Sequence, residues 1–178
     1  DVILGLASNG LHSNGFSLVR KIVADGSFDL MAENDDLNTT LASALLAPTR
    51  IYVKPILNLI RDFSLNGIVH ITGGGFEGNL PRIIPSGVRA RIDTAAWPWP
   101  KIFGWLRKQG EISREEMLRV FNCGLGMVLI VPREDADDIL DRLRALGERG
   151  YRIGQIERKQ ADEPTLELFD GGERQDTD

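Results

Sequence analysis

The chain has 178 residues, 42% of them hydrophobic and 26% charged, the balance of one globular domain long enough to bury a real core. A net charge of −5 and a pI near 5.1 argue against a general nucleic-acid or membrane-surface binder, and no apolar run has the length of a membrane span or the form of a signal peptide. A single cysteine, Cys123, excludes an internal disulfide and fits a reducing cytoplasm; with only two histidines, it offers no zinc-ligand spacing.

Asp1 is followed directly by Val2–Ala7, an apolar strand already under way without leader or initiator methionine, as expected of a domain from a longer polypeptide. A polar, turn-rich segment, Ser8–Gly15, leads to a helix over Phe16–Ala24, with Phe16, Val19, Ile22 and Val23 at helical spacing and Ser13 or Asn14 as its cap. Phe28–Asp36 reads as irregular, Thr39–Leu46 as a short helix and Ala47–Tyr52 as an extended link. Val53–Leu65 is a stronger helix with Ile56, Leu57, Ile60 and Phe63 on one stripe. A buried strand follows from Gly67 to Ile71, and a triple glycine then opens a short helix over Phe76–Ile84.

In Val88–Ile92 arginines alternate with aliphatics, the pattern of a half-exposed strand. Trp97-Pro-Trp-Pro100 is a turn before a helix over Lys101–Lys108, and Ser113-Arg-Glu-Glu116 forms a capping box for a helix through Phe121. Leu125–Val131, Glu134–Arg149 and Tyr151–Ile156 read as strand, helix and strand, the signature of an α/β layer. The acids at the start of that helix complement its dipole, so a metal reading there is poor. From Lys159 to Asp178 the chain turns polar and is expected to be a flexible tail behind a domain of residues 1–158.

Chemistry concentrates in two turns. The sequence has no GxSxG, HExxH or CxxC motif, and Cys123 reads as a packed small residue. His12 and His70 each lie beside glycines between a strand and a helix start, where backbone N–H groups can hold an anion and histidine can move a proton. By the period of two, His70 and Thr72 share one side of their strand. If the two strands are neighbours, both histidines face one cleft, because ligands in α/β sheets collect at the carboxyl ends of strands.

Three blocks carry a resemblance: Leu11-His-Ser-Asn-Gly-Phe-Ser-Leu-Val-Arg-Lys21, Leu46-Ala-Pro-Thr-Arg-Ile-Tyr-Val-Lys54, and His70-Ile-Thr-Gly-Gly-Gly-Phe76 with Asn79-Leu-Pro81. In content and order they resemble the C-terminal domain of the aminoimidazole ribonucleotide synthetase family, also called phosphoribosylformylglycinamidine cyclo-ligase. The resemblance implies a three-layer α/β/α domain with a mixed sheet of about five to seven strands. It also implies ATP-dependent closure of formylglycinamidine ribonucleotide to aminoimidazole ribonucleotide in purine synthesis. ATP would phosphorylate the formyl amide oxygen, an amidine nitrogen would attack, and phosphate would leave.

ATP and Mg2+ would be held mainly by an N-terminal domain preceding Asp1, which also forms the barrel of a homodimer; no metal site falls on this chain. The implied catalytic residues are His12 and His70, with Ser13, Asn14, Gly15, Thr72, Gly73, Gly74, Gly75 and Asn79 binding the ribotide or its phosphate. Arg50 and Lys54 lean to structural roles. Formylglycinamidine ribonucleotide synthetase, selenophosphate synthetase, thiamine-monophosphate kinase and a hydrogenase-maturation protein share the architecture and remain alternatives, as does a non-catalytic ligand-binding domain.

Overall fold

A computed structural model describes residues 1–171. Six strands form one sheet: β1 (Val2–Ala7), β4 (Gly67–His70), β5 (Val88–Asp93), β6 (Leu125–Val131), β7 (Gly150–Arg158) and β8 (Leu166–Phe169). Their order is β4-β6-β1-β7-β5-β8, antiparallel throughout except for the parallel pair β5–β8. The sheet is mixed and within the expected strand number.

Helices cover both faces. On one, α3 (Val53–Asp62) and α7 (Ala136–Ala145) pack on Val2, Leu4 and Leu6 of β1 and on Leu129 and Val131 of β6. On the other lie α1 (Phe16–Asp25), α2 (Leu41–Leu45), α4 (Gly75–Asn79), α5 (Lys101–Gln109) and α6 (Arg114–Val120), packed against Ile3, Val128, Ile92 and Ile153. This is why β1 and β6 are apolar without alternation: side chains of both parities are buried. No helix among the described residues is long and apolar enough to cross a membrane.

Several local expectations change. Neither Ser13 nor Asn14 caps α1; the N-cap is Gly15 in the left-handed region, and the Asn14 amide donates instead to the His12 carbonyl at 2.8 Å. Ser113 does cap α6, accepting from Glu116 N at 3.1 Å, but the Glu116 carboxylate pairs with Arg119 instead of closing the box. The region expected to be irregular ends in a two-residue strand, β2 (Glu33–Asn34), which pairs with β3 (Thr39–Thr40). Along α3 the buried residues are Pro55, Ile56 and Leu59, whereas Leu57 and Ile60 face outward.

The expected tail is also revised. Leu166–Phe169 pairs with Ala90–Asp93, and Glu163 and Glu167 reach Arg89 and Arg91 at 2.8–3.1 Å. The alternating arginines of β5 meet the alternating acid of β8, a complementarity that neither segment displays alone. Ordered structure thus continues past residue 158; the final stretch of the expected tail, 172–178, lies outside the described residues.

Candidate functional site

β1 and β4 both run antiparallel to β6, so they point the same way and their carboxyl ends share one end of the sheet. Leu6 and His70 are both opposite Met127, which places His70 in one cross-strand row with the last turn-ward residues of β1. Ile71 extends the pairing by donating to the Gly126 carbonyl at 2.9 Å. The turns that follow meet: Asn14 Oδ1 lies 3.6 Å from the position a Cβ on Gly73 would take.

In the first turn His12 (φ 51°) and Ser13 (φ 62°) are left-handed, and Asn14 N donates back to the Leu11 carbonyl at 3.1 Å. Ser13 points to solvent, but His12 is only 4% exposed. Its Nε2 lies 2.7 Å from Asn9 Oδ1, with the backbone nitrogens of Arg50 and Asn9 farther off at 3.3 and 3.4 Å. Its Nδ1 is buried with no hydrogen-bond partner among the described residues. Burial first, and then the neighbouring His70 and the Arg50 guanidinium, lower the His12 pKa from 6.5 to about 4. At neutral pH this ring is uncharged.

Tyr52 joins the two histidines. Its ring centroid is 6.1 Å from that of His12 and 6.3 Å from that of His70, and its Oη donates to the Ala7 carbonyl at 2.7 Å. Burial pushes the phenol above its usual range. Opposite sits Gly126, where β6 bulges against Leu6 and Ala7. A Cβ at Gly126 would run into Tyr52 Oη and lie 2.7 Å from His12 Cε1, so only glycine leaves room for the pair. Tyr52 lies in the second signature block yet drew no role from sequence, because nothing local reveals that it packs between residues 12 and 70. The neighbouring Arg50 is ion-paired with Glu148 at 2.7 Å, a structural role.

The second turn is organised from within by Asn79. Buried at 5% exposure, its Nδ2 donates to the carbonyls of Thr72, Gly73 and Gly75, the last at 2.7 Å, and its Oδ1 accepts from Thr72 Oγ1 at 3.2 Å. Both expected ligand-binding side chains are thereby turned toward the loop itself. Gly75 (φ 56°) is pressed against the Leu118 carbonyl of α6, so it is a packing glycine. Gly73 and Gly74 are exposed, and their backbone N–H groups make no hydrogen bond among the described residues. His70 is exposed beside them.

The arrangement therefore offers free N–H donors for an anion, one exposed titratable ring, and a buried neutral ring behind it, held by Tyr52. No three of His, Cys, Asp or Glu among the described residues are grouped to hold a metal ion.

Residues 1–167 match the family model for the AIR synthase related protein, C-terminal domain. A phosphoribosylformylglycinamidine cyclo-ligase of Neisseria meningitidis is 53% identical over 163 residues, covering 92% of this chain and 47% of its own length. Its counterpart in Chromobacterium violaceum is 51% identical over 168 residues, covering 94% and 48%. The chain thus spans about half the length of the curated relatives it matches. Among solved structures, thiamine-monophosphate kinase from Stenotrophomonas maltophilia superposes with a TM-score of 0.64 at 22% identity, over 94% of this chain and 49% of that one. T. maritima PurL complexed with FGAR gives 0.57 at 13%, over 96% and 25%; these two likenesses concern the fold alone. With its family model matched across almost its whole length, the chain belongs to the AIR synthase related family, as a C-terminal domain of that family.

Proposed function

We propose that this domain is the C-terminal half of an ATP-dependent cyclo-ligase that converts formylglycinamidine ribonucleotide to aminoimidazole ribonucleotide in purine biosynthesis. The observation that carries the reading is the meeting of the Asn14 and Gly73 turns beside His70, in a chain half-identical to cyclo-ligases along nearly all its length. The identity favours this reaction over that of the kinase, whose likeness is 22%.

In this reading Gly73 and Gly74 hold the ribotide phosphate on their free N–H groups, with Ser13 and Asn14 on the opposite lip. His70 moves the proton or polarises the oxygen at the reacting amide. His12 is a positioning residue: buried and neutral, it fixes Tyr52 and the 9–15 turn instead of meeting substrate. Thr72, Gly75 and Asn79 shape the loop, and Gly15 starts α1. ATP, which activates the formyl oxygen, is assigned with Mg2+ mainly to the N-terminal half, as the family resemblance implies. We place the full-length enzyme in the cytoplasm, as a homodimer.

The test uses a full-length enzyme in which this domain follows the N-terminal half of the Neisseria relative. His70→Ala lowers kcat by roughly 10²–10⁴, and Gly73→Ala raises KM for the ribotide with little change in kcat. The 178-residue chain alone does not turn over. Full activity of His70→Ala would remove the proposed chemistry from this site.

A further inference from the structure

An apolar surface next to the site is uncovered. Helix α3 carries two apolar stripes: Ile56 and Leu59 face the core, while Val53, Leu57 and Ile60 recur at spacings of four and three on the outer face at 61%, 54% and 50% exposure. Ile51, at 76%, precedes them, and Ile68 of the edge strand β4, at 38%, lies alongside. Between α3 and β4 runs a groove of about 420 Å³ whose walls include Ile51, Leu57, Ile68 and Met127, with His70 and Tyr52 among its lining residues. Contiguous apolar surface of this kind on a soluble domain marks a place where another surface sits.

We propose that this face docks the N-terminal half of the longer enzyme, closing the candidate site from the α3 side; the inference rests on reading this chain as the C-terminal half of such an enzyme. Three observations select that occupant. The relatives carry about as much chain again as this domain supplies. The groove is continuous with His70, so whatever covers it also walls the site. Finally, Lys54 and Arg61 are exposed on the same helix with no ion pair among the described residues. A two-fold contact between copies of this chain would set these cations against their own mates, whereas a different surface can present acids. The occupant is therefore an apolar face with an acidic rim.

The test is cysteine accessibility, since the native Cys123 is buried and silent. Leu57→Cys and Ile60→Cys are labelled by a thiol reagent in the 178-residue chain and in the full-length enzyme described above. Met31→Cys, on an exposed position away from α3, serves as control. Labelling at 57 and 60 slows by about tenfold or more in the longer chain, while labelling at 31 is unchanged. The same cysteines placed at the aligned positions of the natural Neisseria enzyme repeat the measurement in a chain that folds as it stands.

Equal labelling at 57 in short and long chains overturns the proposal. So does a 178-residue chain that sediments as a dimer and is dispersed by Leu57→Asp, because the occupant would then be a second copy. The readout is independent of turnover. Protection in an inactive full-length enzyme counts against the assigned reaction alone, and an active enzyme with open positions 57 and 60 counts against the docking face alone.

Discussion

Replacing His12 by asparagine removes a ring that the fold keeps neutral, and it does so without backbone strain, because asparagine tolerates the left-handed conformation at φ 51°. The His12 pKa falls from 6.5 in the unfolded chain to about 4 in the folded one. Between those values the unfolded chain takes up a proton that the folded chain refuses, so stability declines as pH falls through this window and the loss is complete below it. At about 1.4 kcal/mol per pH unit the whole interval amounts to roughly 3 kcal/mol. Urea unfolding of wild type and His12→Asn from about pH 7.5 down to about pH 4.5 isolates this contribution as the change in their stability difference. Acid lability from carboxylates such as Glu157, held low chiefly by the Gln155 side chain, is common to both proteins and cancels. The variant is expected to be less stable at neutral pH, from lost packing, and to close most of that gap in acid. With two histidines in the chain, proton NMR gives a second view: one imidazole signal holds its position until the pH approaches 4. A stability difference that varies by less than about 1 kcal/mol across the window would refute the argument, as would two imidazole signals that both move near pH 6.5.

Gly75→Ala sets a side chain against the Leu118 carbonyl at φ 56° and is expected to destabilise by more than about 2 kcal/mol, whereas Gly73→Ala, whose Cβ would meet only Asn14 Oδ1 at an ordinary contact distance of 3.6 Å, stays within about 0.5 kcal/mol in thermal melts. Comparable melting points for the two would contradict the reading of Gly75 as a packing glycine and Gly73 as an unpacked one. Asn79→Ala removes the amide that bridges three loop carbonyls; a cost of about 1–3 kcal/mol and faster amide exchange over 72–75 follow, and unchanged exchange rates would count against the internal clamp. Truncation after Arg158 removes β8 with the half-buried Leu166 and Leu168 and is expected to lose roughly 2 kcal/mol or more. A truncated chain as stable as the parent would return residues 159–171 to the status of a tail.

Legibility from sequence followed burial. β6 is an apolar run between turns and was readable at Leu125–Val131 to the residue, because a strand covered on both faces needs no partner to declare itself. The two histidine turns stood out because glycines and polar residues cluster there. Pairwise facts were not readable. That β1 and β4 run in the same direction follows from their shared neighbour β6, which no local pattern encodes. β8 needed the arginines of β5 to become a strand. On α3, apolar residues on two faces leave periodicity unable to say which is inward, and the stripe read from sequence joined the exposed Leu57 and Ile60 to the buried Ile56. The burial of His12 was not readable, because it depends on Tyr52, Arg50 and Gly126, which reach it from distant parts of the chain.

The central position of β1 bears on how the protein is made. Val2 pairs with Val131 on one side and Gln155 on the other, so within this domain β1 has neither neighbour until nearly all of residues 1–158 have left the ribosome. At roughly 5–20 residues per second, the segment Val2–Ala7 waits on the order of ten seconds with both apolar faces open. The central pairings of the sheet join segments more than a hundred residues apart, the kind of contact that closes slowly. Closure of the sheet around β1 therefore waits on the arrival of β6 and β7.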